Sequence, residues 1–314
     1  MLRYLVARLT ALIPTVLLVA LFAFFLMHLV PGSPAAVMLG PEATPEDIVH
    51  LEHEMGLDKP LIVQLAKWLG NLARGDFGDS IFTHTPVLQL VLSMAEASFF
   101  LALLSLTIAM SVGVPAGIVA AVKRDSVFDQ FVVTSALLIA SVPSFWLGLN
   151  LMLLFAVELR WLPTSGFQSI LHTGDLGNLR YLLLPAISMG LPSSALITRL
   201  TRSTMLDVIA EDYVNTARSK GLREFVVIVK HALRNASVPI VTVVSFTFLN
   251  LMSRGVVAEN VFRLPGIGRL IVVSITRRDY PVIQGVLLVV AAAYVVLNLI
   301  TDIVYVFLDP RIRY

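Results

Sequence analysis

The residue types that could carry chemistry in this chain each lack a partner at the spacing the chemistry needs. A phosphate-binding loop that hydrolyses ATP requires Lys followed by Ser or Thr, so that an ammonium meets the phosphates while a hydroxyl holds magnesium. The five lysines, Lys59, Lys67, Lys123, Lys220 and Lys230, are followed by Pro60, Trp68, Arg124, Gly221 and His231. ATP hydrolysis by that route is excluded. A zinc-protease helix requires two histidines one turn apart around a Glu, yet His53-Glu54 meets Leu57 where the second ligand would stand. His50, His53 and Glu54 read as solvated residues of a helix surface, and no metal is expected. The absence of cysteine removes thiolate ligands, disulfides and cysteine nucleophiles together. No pair of aspartates lies inside an apolar stretch to serve as an acid dyad. A membrane-embedded hydrolase is the enzyme-class alternative, and it lacks a nucleophile with a base.

What remains is a set of uncharged polar groups in apolar surroundings: Ser141, Asn150, Ser188, Ser193, Ser245, Thr247 and Asn250. Such groups present hydrogen bonds without charge, which suits passing a solute better than holding it tightly. Each one also has a plainer reading as a hydrogen bond between helices, worth about 0.6 kcal/mol. Deep acids or bases of the kind that couple carriers to protons or sodium are missing, so the energy for transport is expected from another subunit.

The elements that carry these groups follow from composition. Of the 314 residues, 57% are hydrophobic and 14% charged, with mean hydropathy +0.85, against about one quarter charged in soluble proteins. Net charge is only +2, which gives no basic field for a nucleic-acid partner. A charge at the bilayer centre costs roughly 2.5–3.5 kcal/mol, so charge-free gaps mark the spans. Six gaps, 9–41, 97–122, 131–157, 181–198, 235–253 and 280–301, approach or exceed the ~20 residues that a crossing helix needs. The expected architecture is an all-α integral membrane protein with six transmembrane helices. The first gap is too long for a cleaved leader and has no clean small-x-small site after it. Residues 80–95 are also free of Asp, Glu, Lys and Arg but carry His84, Pro86 and Gln89, and read as an interfacial or packed amphipathic helix.

More than half of the Lys and Arg fall in segments that are inside if the amino terminus is inside: Arg3 and Arg8, Lys123 and Arg124, the run from Arg199 to Arg234, and Arg311 with Arg313. Positively charged short loops stay in the cytoplasm. Both termini are therefore placed there, with 1–30 as amino terminus and first span, 31–96 external, and 97–314 as a core of five spans with a cytoplasmic loop at 205–235. In the external segment, Thr44 before Pro45-Glu46-Asp47 predicts a capped helix ending near Gly56.

The 205–235 loop shows two amphipathic stretches. Met205, Val208, Ile209, Tyr213, Thr216 and Ala217 recur at helical steps, with Asp212, Asn215, Arg218 and Lys220 between or after them, and Gly221 before Leu222 sits where a left-handed cap would end the helix. Phe225, Ile228, Val229, Ala232 and Leu233 form a second apolar side opposite Lys230, His231 and Arg234. This pattern fits a lever that docks into a partner, with Ala217 leaving room for a closing cleft, and equally a basic helix resting on anionic headgroups.

The run Thr216-Ala217-Arg218-Ser219-Lys220-Gly221-Leu222, followed by His231-Ala232-Leu233-Arg234-Asn235-Ala236 and Pro239, resembles the EAA loop of ABC importer permeases, in particular the B-type subunits of the dipeptide, oligopeptide and nickel branch. Asn215-Thr216-Ala217 stands where the general loop has Glu-Ala-Ala. The resemblance extends along the chain through Met1-Leu2-Arg3-Tyr4, Pro31-Gly32-Ser33-Pro34, Gly56-Leu57-Asp58-Lys59-Pro60, Gly75-Asp76-Phe77-Gly78, Trp161-Leu162-Pro163, Glu259-Asn260-Val261-Phe262, Leu264-Pro265-Gly266-Ile267-Gly268, Arg278-Asp279-Tyr280-Pro281-Val282 and Asp309-Pro310-Arg311-Ile312-Arg313-Tyr314. It implies a type I ABC importer permease fold in the bacterial inner membrane and a partnership with a homologous C-type permease, two ATP-binding subunits and an external substrate-binding protein. It further implies that ATP and Mg bind those partners, with no cofactor on this chain. Dipeptides or oligopeptides are the implied cargo, with glutathione and nickel complexes as alternatives. Arg254 departs from the pattern, and with Glu259 marks a candidate external gate in which Arg254 either snorkels to the interface or pairs with Glu259.

Overall fold

The computed structural model describes residues 2–29, 33–40 and 43–308. Met1, the Pro31-Gly32 pair and the closing run from Asp309 to Tyr314 lie outside the described residues, as do the side chains of Arg3, Tyr4 and Arg8. The elements are helical: α1 (Leu2–Leu29), α2 (Pro34–Leu39), α3 (Pro45–Met55), α4 (Leu61–Ala73), α5 (Val87–Val122), α6 (Val127–Ser141), α7 (Ser144–Leu151), α8 (Ile170–Thr173), α9 (Arg180–Ile209), α10 (Asp212–Ser219), α11 (Glu224–Val226), α12 (Leu233–Val261), α13 (Ile267–Arg277) and α14 (Tyr280–Leu308). Wider π turns at Met152–Glu158 and Val227–Ala232 follow α7 and α11, and a 3-10 turn, Leu176–Leu179, leads into α9. The β-type pairing found among the described residues is an isolated antiparallel bridge between Asp79 and Pro86.

Among the described residues four helices are long and apolar enough to cross a bilayer unbroken, those carried by α5, α9, α12 and α14. A fifth arises if α6 and α7 are one span bent by 93°. In α1 the apolar stretch described is Pro14–Met27, the place of the first expected span. The bend has a local cause. Val142 precedes Pro143 and takes an extended conformation, φ −80° and ψ 124°, because the proline ring disfavours the helical region for its predecessor. The span expected at 131–157 is thus broken at its middle. A second correction concerns 80–95: residues from Val87 onward belong to α5, a single helix of 36 residues. Gln89 and Ser93 interrupt hydropathy without interrupting a helix, since neither is a breaker.

Two compact units emerge among the described residues, one from residues up to 95 together with 267–297, the other from 96–266 and 298–308. In the second unit α5 and α9 approach through glycines: a Cβ on Gly113 would strike Ile197 and the Ser194 carbonyl, and one on Gly190 the Ser105 carbonyl. Small residues substitute here for hydrophobic driving force, which lipid does not supply between helices. Leu101, Leu182, Leu184, Leu251, Phe262 and Leu264 fill the main core beside them. In the first unit Val87, Val91, Val282 and Val286 pack together, and Gln284 donates to the Ala23 carbonyl at 3.2 Å. The α3 cap forms as its residues predict. Thr44 Oγ1 accepts from the Asp47 amide, Asp47 accepts in return, and Gly56 closes the helix at φ +73°.

Candidate functional site

The 205–235 loop is built from the end of α9 outward. Met205 through Ile209 belong to α9 rather than to a separate helix, and Glu211, in extended conformation, restarts the chain as α10. Its end is a Schellman motif: the Gly221 amide donates to the Arg218 carbonyl, the Leu222 amide to that of Ala217, and Gly221 takes φ +77° with open space where a Cβ would stand. The Arg218 guanidinium pairs with Glu224 across the turn at 2.8 Å, which holds its pKa above the ordinary arginine value. Asn235 Nδ2 donates to Tyr213 Oη at 2.7 Å. These contacts fold the turn back on itself and tie α10 to the start of α12.

Ala217 is placed differently from the expectation that it faces a partner. It is buried with Val214 against Val227, so its small size serves the loop's own packing. Asp212, Tyr213, Asn215, Thr216, Arg218, Lys220, Gly221 and Leu222 are exposed. The second stretch is continuous with α12 through the π turn. Its buried side is Val227, Ile228 and Ala232, whereas Phe225 and Val229 are exposed. The loop therefore presents Tyr213, Leu222, Phe225 and Val229 as apolar groups among cations.

The polar groups of the spans divide in two. A cavity of about 230 Å³ opens at the α6–α7 bend, lined by Ser141, Pro143, Met189, Ser193, Leu251 and Arg254 among others. Ser188 and Thr247 are instead buried, while Asn150 is exposed and Ser245 and Asn250 are half-buried outside that lining. Ser141, Asn150, Ser193, Thr247 and Asn250 each donate to the carbonyl four residues earlier, and Ser188 to that of Pro185. None of these bonds joins two helices. Each hydroxyl's donor is spent on its own helix, which leaves oxygen lone pairs facing outward.

Arg254 and Glu259 are not a pair. Glu259 is buried and accepts from Ser98 Oγ at 2.6 Å, and its carboxylate occupies the place where a side chain on Gly266 would begin. Arg254 is exposed to the cavity, with no ion-pair partner among the described residues. Sequence reasoning missed Asp129, which is buried and receives two bonds of 2.6 Å from Arg202. Its one visible signal is local, the Ser126 cap whose oxygen accepts from the Asp129 amide. Among the described residues no group of acids and histidines could hold a metal ion.

Residues 113–314 match the family described as binding-protein-dependent transport system inner membrane component, and residues 1–111 match its amino-terminal counterpart. The chain belongs to this family. A probable peptide ABC transporter permease of Sinorhizobium fredii is 42% identical over 99% of both chains. A glutathione transport system permease of Salmonella paratyphi A and a dipeptide transport system permease of Alkalihalophilus pseudofirmus are each 40% identical over the whole of both chains. The permease of the methionine ABC transporter MetNI, solved facing inward, matches 70% of this chain and 97% of its own with TM-score 0.56 and 14% identity. That likeness concerns the fold, and it places this permease in the type I importer architecture.

Proposed function

We propose that this permease is the B-type membrane subunit of an ATP-driven importer of dipeptides or oligopeptides in the bacterial inner membrane, with both termini cytoplasmic. Its partners in this reading are a homologous C-type permease, two ATP-binding subunits that carry ATP and Mg, and an external substrate-binding protein. Full-length similarity to peptide and dipeptide permeases supports the class of cargo. The observation that carries the reading is the cavity at the α6–α7 bend. It combines one unpaired cation, Arg254, with serine oxygens whose donors are already used. A peptide has a carboxylate that matches the guanidinium and an ammonium that matches the acceptors, so the two charges of a zwitterion meet complementary groups. In the same reading α10 and the exposed groups beside it dock on an ATP-binding subunit, and movement of α10 is passed to α9 and α12, between which it lies in the chain.

The glutathione relative supports a second cargo, because glutathione also carries carboxylates and an ammonium. The test is uptake of labelled dipeptide, tripeptide, glutathione and nickel complexes by the assembled complex in proteoliposomes. Arg254→Ala is expected to lower uptake of a free-carboxylate peptide about tenfold, from ~1.4 kcal/mol of a partly exposed charge-assisted bond, and to leave a C-terminally amidated peptide unaffected. Equal loss for both peptides would remove Arg254 from substrate recognition.

A further inference from the structure

Helix α4 is amphipathic and contains no buried residue. Val63, Gln64, Lys67, Trp68 and Asn71 face a cavity of about 230 Å³ in the first compact unit. Leu61, Ile62 and Val63 are 48%, 80% and 47% exposed and Ala66 is exposed beside them, whereas Leu65 and Leu69 are half-buried like Gln64 and Asn71. Exposed Ile62, Val63 and Ala66 beside exposed Lys67 suit an interfacial helix, with apolar groups toward hydrocarbon and the ammonium toward headgroups.

The cavity itself is amphiphilic. Phe24 and Met27, in the last turns of α1, form an apolar wall, with the Phe24 and Trp68 rings 5.7 Å apart. Lys59 and Lys67 stand at the rim, with no carboxylate partner among the described residues. No acidic residue lines the cavity. The side-chain amide of Asn71 is also without a hydrogen bond among the described residues. Two unpaired ammonium groups and an amide above an apolar wall match a phosphate above acyl chain. An indole at that level is typical of the membrane–water interface.

We propose that Lys59, Lys67 and Asn71 hold the headgroup of an anionic phospholipid of the outer leaflet, with its acyl chain against Phe24, Met27 and Trp68 and the apolar arc of α4 lying in the same leaflet. The leaflet rests on the topology read above, with the outer end of α1 at Leu29. Trp68 reports the site directly. Replacing Trp146 and Trp161 with Phe leaves it as the single tryptophan of the chain. The full-length protein is placed in nanodiscs of zwitterionic phosphatidylcholine with a minor fraction of brominated lipid. Brominated phosphatidylglycerol is expected to quench Trp68 emission at least twofold more than brominated phosphatidylcholine at equal fraction. Lys59→Gln with Lys67→Gln should remove the difference, and Lys59→Arg with Lys67→Arg should keep it. Equal quenching by the two lipids, or a preference that survives the glutamine substitutions, would overturn the headgroup site. Absence of quenching by either lipid would overturn the position of α4 as well. Impermeant labelling of a cysteine placed at Ser219 reads the orientation separately, so a wrong leaflet and an absent site give different results.

Discussion

Asp129 shows how much one side chain can decide in a chain with few charges. Its carboxylate is buried at the start of α6, takes both Arg202 bonds, and accepts from the Asp125 amide at 3.0 Å. Removing one partner of a buried pair costs about 3–5 kcal/mol because a charge is left without compensation. Arg202 keeps 26% of its side-chain surface, which softens the cost to roughly 2 kcal/mol. Asp129→Asn is therefore expected to lower the thermal midpoint of the purified permease by several degrees, and adding Arg202→Gln should recover part of the loss; unfolding in detergent with and without the second change measures the coupling. Gly266→Ala acts at the same scale. The new methyl would displace the Glu259 carboxylate from Ser98, so this variant is expected to be less stable than Gly70→Ala, whose Cβ meets nothing within 4 Å on ordinary helical backbone. Neither pair could be read from the sequence. Asp129 and Arg202 are 73 positions apart and Ser98 and Glu259 are 161 apart, and periodicity carries no information at such distances.

Elements were legible where local chemistry punctuates them. Thr44, Pro45, Asp47 and Gly56 give α3 both of its ends, and the Thr44 hydroxyl and amide on the Asp47 carboxylate hold its pKa below the ordinary aspartate value. A depressed pKa contributes stability that is present above the unfolded-state value, near 3.9, and is lost as pH falls through the folded one. Protection of the α3 amides from hydrogen exchange, taken relative to the intrinsic rate at each pH, is thus expected to fall below about pH 4, and Thr44→Ala should weaken that pH dependence while the backbone amide at position 44 retains part of it. Where nothing punctuates, the pattern misleads. Met205–Ile209 and α10 read as one helix because Ala210 and Glu211 are ordinary helix formers, and only the backbone at Glu211, φ −72° and ψ 145°, separates them. The bent third span was equally hidden, since Pro143 lies in an apolar run and a single proline can kink a helix as readily as end it. For the loop, the Schellman motif predicts a contrast. Gly221→Ala adds a Cβ in open space and costs about 1 kcal/mol through its left-handed conformation alone, leaving ATP-driven uptake nearly intact. Ala217→Trp forces a large ring into the contact with Val214 and Val227, and is expected to abolish uptake by dislodging α10. Limited proteolysis between Ala210 and Glu224 distinguishes the two, with faster cleavage in the tryptophan variant.

At the scale of the whole chain, absence of cysteine makes every introduced thiol a clean reporter of which surfaces meet water. If both termini are cytoplasmic, a cysteine at Ser219, exposed on α10, stays unreactive to an impermeant reagent added outside intact cells. The translocation path can be tested in the same background, and the structure sharpens which positions should respond. A path has to be wet in at least one state of the transport cycle, so its lining is set by access and not by polarity alone. Ser141 and Ser193 line the cavity beside Arg254, whereas Ser188 and Thr247 are equally polar and buried within helix packing. All four hydroxyls bond to their own helices, so replacing any of them by the similarly sized cysteine removes no bond between elements and should leave the fold in place. In the assembled complex, cysteines at 141 and 193 are expected to react with a small aqueous thiol reagent at least tenfold faster than those at 188 and 247. If α10 docks on an ATP-binding subunit as proposed, trapping ATP there should change the first pair and not the second, because only the first pair lines the cavity that the cycle would reshape. Equal reactivity at all four positions would mean that the cavity is a packing gap, and the path would then have to be sought along another face of α12.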